Sequence, residues 1–253
     1  MANNEFKGKI IWSADKRSLP ELCQIVSSSQ FPREQVAVKL DRLFFMKYGL
    51  DSIGRIQSLG VAVFADAKIV EIPSKTLEIA KIYLEQRPWM LNVMGNIAST
   101  GYSAATAHPE DDKEYDVDAL AQFADLCAEA GTKSCVVTVL TSKTPRLIEM
   151  EFGKDADSAV QDYARLAAEC GITDLVCSPR EVPFLKSMKL DCELNTPGIQ
   201  CATSNNQDQQ RTLTPAAALL AGSDRLVIGR DLSDGDFFEN YAKITEQIAQ
   251  WVN

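Results

Sequence analysis

Residues 61–73 read Val-Ala-Val-Phe-Ala-Asp-Ala-Lys-Ile-Val-Glu-Ile-Pro, and the rest of the chain is organised around this stretch. The apolar run at its start has the length and branching of a buried strand. Asp66 and Lys68 are two residues apart, so on a strand they project to the same face. Charges at the end of a buried strand cost desolvation energy and need partners or a chemical role. A purely structural ion pair is the alternative interpretation.

The composition is that of an ordinary globular chain of 253 residues, with 45% hydrophobic and 24% charged residues. A net charge of -9 without a basic run argues against a nucleic-acid partner, because phosphate neutralisation needs clustered Lys and Arg. A small anionic ligand needs only a few local donors and stays open. No stretch approaches a membrane-spanning length of about 18 apolar residues, and the first residues lack a signal pattern. We therefore expect no membrane partner.

The cysteines and the histidine restrict the chemistry. The seven cysteines form no C-x-x-C pair, and most lie in apolar runs, which predicts buried thiols in a reducing cytoplasm. His108 is the only histidine and lies in a polar stretch. A single histidine excludes most metal-ligand clusters and any Ser-His-Asp arrangement elsewhere on the chain. We interpret His108 as a solvated loop residue.

Apolar runs and helical patterns alternate eight times along the chain, with short connections. The runs lack the alternation of a half-exposed sheet, which is typical of parallel strands covered by helices. This pattern predicts an α/β fold, a single (β/α)₈ TIM barrel over residues 1–253. An open doubly wound sheet is the alternative, although no G-x-G-x-x-G follows the first strand. One long helix is predicted over residues 43–59. The predicted strands span residues 9–14, 35–40, 61–68, 90–95, 133–140, 174–178, 191–195 and 225–228.

Active sites of such barrels lie at the carboxyl ends of the strands. Four charged residues end or follow the first three predicted strands and would converge there: Asp15, Lys39, Asp66 and Lys68. Carboxylates and ammonium groups that alternate in a small volume hold each other ionised. The lysines would compete with a metal cation, whereas the cluster suits an anionic intermediate and proton delivery from lysine. Further polar residues at strand ends are Asn92, Thr141, Ser142, Ser178, Thr196 and Arg230.

The ends of the seventh and eighth predicted strands have the composition of a phosphate site. Barrels often hold phosphate at these two ends. In Gly229-Arg230, the glycine would let backbone N–H groups approach a phosphate and the arginine could bind it bidentately. Thr196-Pro197-Gly198 ends the seventh strand in the same way. The alternative is a turn glycine beside a surface arginine. The long polar loop at residues 200–212 is a candidate lid.

The stretch from Asp66 to Pro73 resembles the D-x-K-x-x-D-I-P signature of the orotidine 5′-monophosphate decarboxylase family. Other fragments resemble this family in the same order through most of the chain, and their number makes the resemblance specific. These fragments are residues 137–142, 176–181, 196–199, 208–211, 214–215 and 227–230.

This resemblance implies decarboxylation of orotidine 5′-monophosphate to UMP in pyrimidine synthesis, without cofactor or metal, by a homodimer with shared active sites. Lys39, Asp66 and Lys68 would form a charged tetrad with Glu71, which would reach into the partner subunit's site. Lys68 would protonate C6 of the pyrimidine. The implied substrate contacts are Asp15 to a ribose hydroxyl, Ser142 to the pyrimidine, and Gln209, Gly229 and Arg230 to the phosphate, with Thr141 and Pro197 as further substrate-binding residues.

Four positions depart from the family pattern. Glu71 stands where the family has Asp, Lys75 where it usually has Thr, Met94 where it has His, and Asp231 where it has Pro. Two other functions therefore stay open. One is a magnesium-dependent sugar-phosphate decarboxylase or hexulose-phosphate synthase of the same superfamily. The other is a slowed or non-catalytic nucleotide-binding homologue.

Overall fold

Eight parallel strands close into a barrel in the computed structural model, which describes residues 8–98, 113–201 and 213–252. The strands are β1 (Ile10–Ser13), β2 (Val36–Asp41), β3 (Val63–Ile69), β4 (Met90–Met94), β5 (Lys133–Val137), β6 (Asp174–Val176), β7 (Glu193–Thr196) and β8 (Arg225–Ile228). Each strand pairs with the next along the chain, and β8 pairs in parallel with β1, where Ile10 lies opposite Leu226. The predicted (β/α)₈ barrel is confirmed, and the open sheet is wrong.

Helices surround the barrel, and most begin at signals that are visible in the sequence. Ser18 and Glu21 form a capping box at the start of the first helix, while Thr144 and Thr214 cap two later helices that begin with proline. In the described parts of the chain, no helix is both long and apolar enough to cross a membrane. The helices are α1 (Leu19–Ser27), α2 (Arg42–Tyr48), α3 (Asp51–Gln57), α4 (Pro73–Leu84), α5 (Lys113–Ala130), α6 (Pro145–Phe152), α7 (Ala156–Glu169), α8 (Val182–Ser187), α9 (Pro215–Leu220), α10 (Arg230–Ser233) and α11 (Phe237–Val252).

Two features of the helices differ from the prediction. The single helix predicted over residues 43–59 is wrong, because Gly49 adopts a φ of 77° and separates α2 from α3. Glycine reaches this left-handed conformation without a steric penalty and commonly ends helices. Helix α6 was not predicted, although Thr144 and Pro145 supply a cap and a first-turn proline. A short 3₁₀ turn, Gly95–Ala98, follows β4.

The barrel interior changes from apolar to polar toward the carboxyl ends of the strands. Side chains along a strand alternate between the interior and the surrounding helices. One buried layer inside the barrel contains Ile11, Ala37, Phe64, Met90, Cys135 and Val227. Two residues further along their strands, the same faces carry Ser13, Lys39, Asp66 and Asn92. Their outward-facing neighbours, such as Trp12 and Val38, pack with the helices in a second and larger core. The alternation of each strand therefore places the charged residues above an apolar floor.

An ionic network closes the opposite end of the barrel, where the strands begin. Arg225 donates to Asp174 at 2.8 Å and also contacts Glu193, and Lys133 donates to Glu193 at 2.7 Å. The guanidinium of Arg225 also lies over the ring of Trp89, 5.2 Å from its centre. Burial favours a raised pKa for Glu193, but the hydrogen bonds from Lys133 and Arg225 outweigh it and lower the pKa to about 2. The network keeps the buried charges of this end paired.

Candidate active site

An open cavity of about 350 Å³ lies at the carboxyl ends of the strands. This volume falls within the range of about 300–1,000 Å³ that is typical of small-molecule sites. The predicted site residues that line it are Asp15, Lys39, Asp66, Lys68, Thr141, Pro197, Gly229 and Arg230. Residues from β1, β2, β3 and the loops after β5, β7 and β8 therefore meet at one place, as the strand-end positions predicted.

Four charged side chains form a continuous hydrogen-bonded chain across the cavity floor. The ammonium of Lys39 donates to Asp15 Oδ2 at 2.9 Å and to Asp66 Oδ2 at 2.7 Å. The ammonium of Lys68 donates to the other oxygen of Asp66 at 2.5 Å. Lys39 and Asp66 are buried, whereas the side chain of Lys68 is 38% exposed to the cavity opening. Lys68 is thus the member of the chain whose ammonium a ligand can reach.

The two buried members of this hydrogen-bonded chain of side chains, Lys39 and Asp66, hold each other in their ionised forms. Burial would lower the pKa of Lys39, but the carboxylates of Asp66 and Asp15 outweigh burial and raise its pKa above the ordinary lysine value. Burial would likewise raise the pKa of Asp66, but Lys39 and Lys68 lower it well below the usual carboxyl range. Asp66 is therefore a permanent anion between two cations across the pH range in which the protein would work.

An irregularity in β3 aims Lys68 at the cavity. Between Ala65 and Ile69 the pairing of β3 with β4 shifts register, and Lys68 adopts a φ of 44°. Non-glycine residues in this left-handed region are held there by their surroundings and cluster at functional sites. The buried side chain of Asn92 on β4 accepts from the Lys68 backbone N–H at 2.7 Å and donates to Asp66 Oδ1 at 2.7 Å. One amide thus fixes both charged residues of the motif.

Much of the remaining wall of the cavity is apolar, and the sequence reasoning did not identify this part. Its aliphatic and aromatic residues come from the interior faces of the strands and from the loops after β5 and β7: Phe64, Val137, Val139, Leu140, Val176, Ile199 and Val227. A signal was present for the strand residues Phe64, Val137, Val176 and Val227, which continue the inward-facing alternation of their strands, but not for the three loop residues. A flat apolar ligand surface would pack against this wall, opposite the charged chain.

Gly229 and Arg230 line the corner of the cavity beside the loop after β7, together with Gly198 and Asp231. The carboxylate of Asp231, which departs from the family pattern, accepts from the backbone N–H of Cys201 at 2.5 Å. Burial, the charge of Asp231 and a hydrogen bond to its carboxylate raise the pKa of the Cys201 thiol to about 12. Asp231 therefore ties the loop after β7 to α10, and one of its carboxylate oxygens is occupied by this hydrogen bond.

Among the described residues, two predicted site residues are not part of the cavity wall. Ser142 is exposed beside Thr141, and Glu71 is exposed outside the cavity of its own chain. Gln209 lies outside the described residues, as do His108, most of the candidate lid and most of the polar insertion at 96–114. Lys75, another departure, forms an exposed ion pair with Glu78 at 2.6 Å on α4.

No group of three or more His, Cys, Asp or Glu side chains in the described ranges is arranged to hold a metal ion. Both oxygens of Asp66 already accept hydrogen bonds from Lys39, Lys68 and Asn92. A divalent cation at this carboxylate would have to displace an ammonium group. The donor set favours anionic ligands and proton transfer instead.

The fold and this site define a (β/α)₈-barrel protein with a hydrogen-bonded cluster of charged residues at the mouth of the barrel. The chain belongs to the family described as orotidine 5′-phosphate decarboxylase / HUMPS, because the family model matches residues 8–235. This finding confirms the resemblance stated from the sequence.

Individual relatives agree with the family assignment. The orotidine 5′-phosphate decarboxylase of Chromobacterium violaceum is 33% identical over 208 residues, which cover 81% of this chain and 78% of the relative. That of Pseudomonas fluorescens is 35% identical over 216 residues, which cover 84% of this chain and 86% of the relative. The crystal structure of orotidine 5′-phosphate decarboxylase from Lactobacillus acidophilus superposes with a TM-score of 0.72 at 23% identity, over 96% of this chain and 99% of that one. At this identity the structural match shows the fold alone.

Proposed function

We propose that this protein decarboxylates orotidine 5′-monophosphate to UMP in pyrimidine biosynthesis, without a metal or cofactor. The observation that carries the proposal is the hydrogen-bonded chain Asp15–Lys39–Asp66–Lys68, whose exposed end is an ammonium group at the cavity opening. Membership of the family and the names of its relatives give the substrate class.

The cavity supports a definite orientation for the nucleotide. The phosphate would bind at Gly229 and Arg230, with Gln209 as a third contact, because arginine and backbone N–H groups are the donors that phosphates prefer. The pyrimidine would lie against the apolar wall beside Thr141 and Ser142, and Pro197 would border the ring. Asp15 would accept a hydrogen bond from a ribose hydroxyl. In this orientation C6 of the ring faces Lys68.

The chemistry follows from that orientation. The bond between C6 and the carboxylate carbon breaks, CO₂ leaves, and the electron pair stays on C6. The Lys68 ammonium stabilises this charge as it develops and then transfers one proton to C6. The neutral amine regains its proton from water. Asp66 beside the substrate carboxylate would disfavour the bound ground state, and it holds Lys68 in place with a 2.5 Å hydrogen bond.

A homodimer with shared sites is part of the proposal. Glu71, the fourth member of the predicted tetrad, is exposed, and its chain neighbours Val70 and Ile72 are exposed apolar residues. Together with the exposed Leu43 and Met46 of α2 and Ile82 of α4, we call these side chains the β3 rim. Exposed large apolar side chains that gather in a patch can mark an interface. A second copy of the chain on the β3 rim would cover this surface and bring Glu71 to the neighbouring cavity.

We also propose that residues 1–253 form one domain and that the protein works in the cytoplasm. All eight strands belong to one barrel, which supports the first statement. All seven cysteines are free thiols, which suits a reducing compartment.

One assay tests the function against its alternatives. Purified protein is mixed with orotidine 5′-monophosphate, and the loss of substrate absorbance is followed with and without EDTA. EDTA-resistant turnover supports the proposal. Turnover that EDTA abolishes, or magnesium-dependent turnover of a sugar phosphate instead, supports the related barrel enzymes. Tight UMP binding without turnover supports a nucleotide-binding homologue.

A further inference from the structure

Arg42, which the sequence reasoning did not single out, contacts the segment that carries the proposed proton donor. It is the first residue of α2 and follows Lys39 by three positions. Its Nη2 donates to the carbonyl of Ala67 at 2.8 Å and to the carbonyl of Lys68 at 2.7 Å, and its Nε donates to Ala67 at 3.1 Å. One guanidinium therefore binds two successive carbonyls.

These carbonyls belong to the irregular part of β3. The register of β3 shifts here, and Lys68 is in the left-handed region at a φ of 44°. Such a conformation persists only where several contacts hold the backbone. On one side of Lys68, Asn92 accepts from its N–H at 2.7 Å, and on the other side Arg42 binds its carbonyl. The backbone of Lys68 is thus held at both of its polar groups.

We propose that Arg42 is a positioning residue that keeps Lys68 in its left-handed conformation, so that the ammonium reaches both Asp66 and C6 of the substrate. The inference rests on the proposed decarboxylase function and adds a residue to its machinery. The planar fork of arginine suits this task, since it can bind two carbonyls at once, and a lysine at the same position could not reproduce that geometry. Strand β2 and its junction with α2 then supply two supports of the motif besides Asn92: Lys39 for the side chain of Asp66, and Arg42 for the backbone of Lys68.

The test compares Arg42→Met and Arg42→Lys with the wild type and with a matched control. The control is Arg55→Met, which removes an exposed arginine from the neighbouring helix α3. The measurements are kcat and KM for orotidine 5′-monophosphate, the inhibition constant of UMP, the Tm and the oligomeric state by sedimentation. A displacement of about 1 Å at a catalytic group can cost about 10²-fold in rate.

We expect Arg42→Met to lower kcat by about 10- to 100-fold while the UMP inhibition constant changes by less than about 3-fold. Arg42→Lys should lose less, because its ammonium can still bind one carbonyl, and Arg55→Met should match the wild type. A fall in kcat without a loss of UMP affinity distinguishes a positioning role of Arg42 from a general loss of structure. If Arg42→Met is poorly folded, Arg42→Lys carries the same comparison.

Two results would overturn the inference. One is a kcat within about 3-fold of the wild type in folded Arg42→Met. The other is a fall in kcat that is matched by an equal loss of UMP affinity, or that follows from dissociation of the oligomer, since Arg42 adjoins the β3 rim. Failure of the proposed function would look different, because the wild type itself would then not turn over the substrate.

Discussion

The ammonium of Lys68 lies 2.5 Å from Oδ1 of Asp66, although only one residue separates them on β3. Alternate residues on a regular strand are about 6.6 Å apart along its axis, a gap that the long lysine side chain can cross. At this position the pairing of β3 with β4 shifts register, and Lys68 is in the left-handed region. The D-x-K motif therefore combines an ion pair within one strand with an irregular backbone at the lysine.

The first prediction concerns the proton donor. The Lys68 ammonium is the proposed proton donor to C6. Replacing Lys68 with alanine removes this donor, so turnover should fall by at least about 10²- to 10⁴-fold. UMP binding should stay within a few-fold, because phosphate and ring contacts remain. Single-turnover assays and UMP titration measure the two effects. Near-normal turnover in this variant would remove Lys68 from the donor role.

The second prediction tests whether two chains share each site. Lys68→Ala damages the cavity of its own chain, whereas Glu71→Ala would damage the cavity of its partner. Each variant alone should have low activity. After the two are unfolded and refolded together, mixed dimers have one intact cavity, so about a quarter of the wild-type activity should return. Mixing without refolding is the control. If activity stays at the level of the single variants although mixed dimers form, Glu71 does not act across the interface.

Asp231 gives a third prediction. Its carboxylate fixes the backbone of Cys201 beside the proposed phosphate corner. Loss of a charge-assisted hydrogen bond typically costs about 1.5–3 kcal/mol, so Asp231→Ala should raise KM for the nucleotide by about 10-fold or more, with a smaller change in kcat. Asp231→Asn keeps an acceptor and should lose less.

The exposed Asp191, which precedes β7 at the opposite end of the barrel, is the matched control for Asp231, and Asp191→Asn should leave KM unchanged. The opposite outcome is informative. If Asp231→Ala and Asp231→Asn both lower KM, the carboxylate acts mainly by repelling the phosphate, and its link to the loop after β7 contributes little.

The fourth prediction is a pH dependence of stability at the closed end of the barrel. The pKa of Glu193 is about 2 in the folded protein, below its ordinary value of 4.5. A lowered folded-state pKa contributes stability that is present above pH 4.5 and is lost as the pH falls toward 2. Glu193 is 45% exposed, so solvent screening reduces the contribution of its ion pairs to about 1 kcal/mol or less. Glu193→Gln should therefore lower the Tm at pH 7 by at most about 2–4 °C, and the difference from the wild type should shrink in acid.

Thermal melts at pH 7, 4.5 and 3 measure the effect of Glu193→Gln, with Glu149→Gln on the exposed face of α6 as the control. The kcat of Glu193→Gln at pH 7 should equal that of the wild type, because the network lies at the end of the barrel away from the cavity. A constant difference in Tm at all three pH values would mean that packing, and not the charge of Glu193, supplies its contribution.

Features that depend on the order of residues along the chain could be predicted from the sequence. Strand periodicity, the count of eight units and the polar residues at strand ends were sufficient to predict the barrel and to place Asp15, Lys39, Asp66 and Lys68 at one mouth. The prediction of one helix over residues 43–59 was wrong at Gly49. The helical spacing of apolar residues continues past this glycine, but its positive φ ends the first helix. Helix α6 was missed because its apolar face is short, although its cap was readable.

The sequence by itself determined the fold, the family and the types of side chain that lie at the barrel mouth. The alternation along each strand fixes which side chains point inward, and their order along the strand fixes which end they occupy. Only the tertiary structure decided how those groups are held: the register shift in β3, the left-handed Lys68, the two carbonyls bound by Arg42 and the loop fixed by Asp231. These contacts join residues that lie about 25 to 30 positions apart in the chain, and their distances follow from how neighbouring strands and loops pack, which no local pattern records.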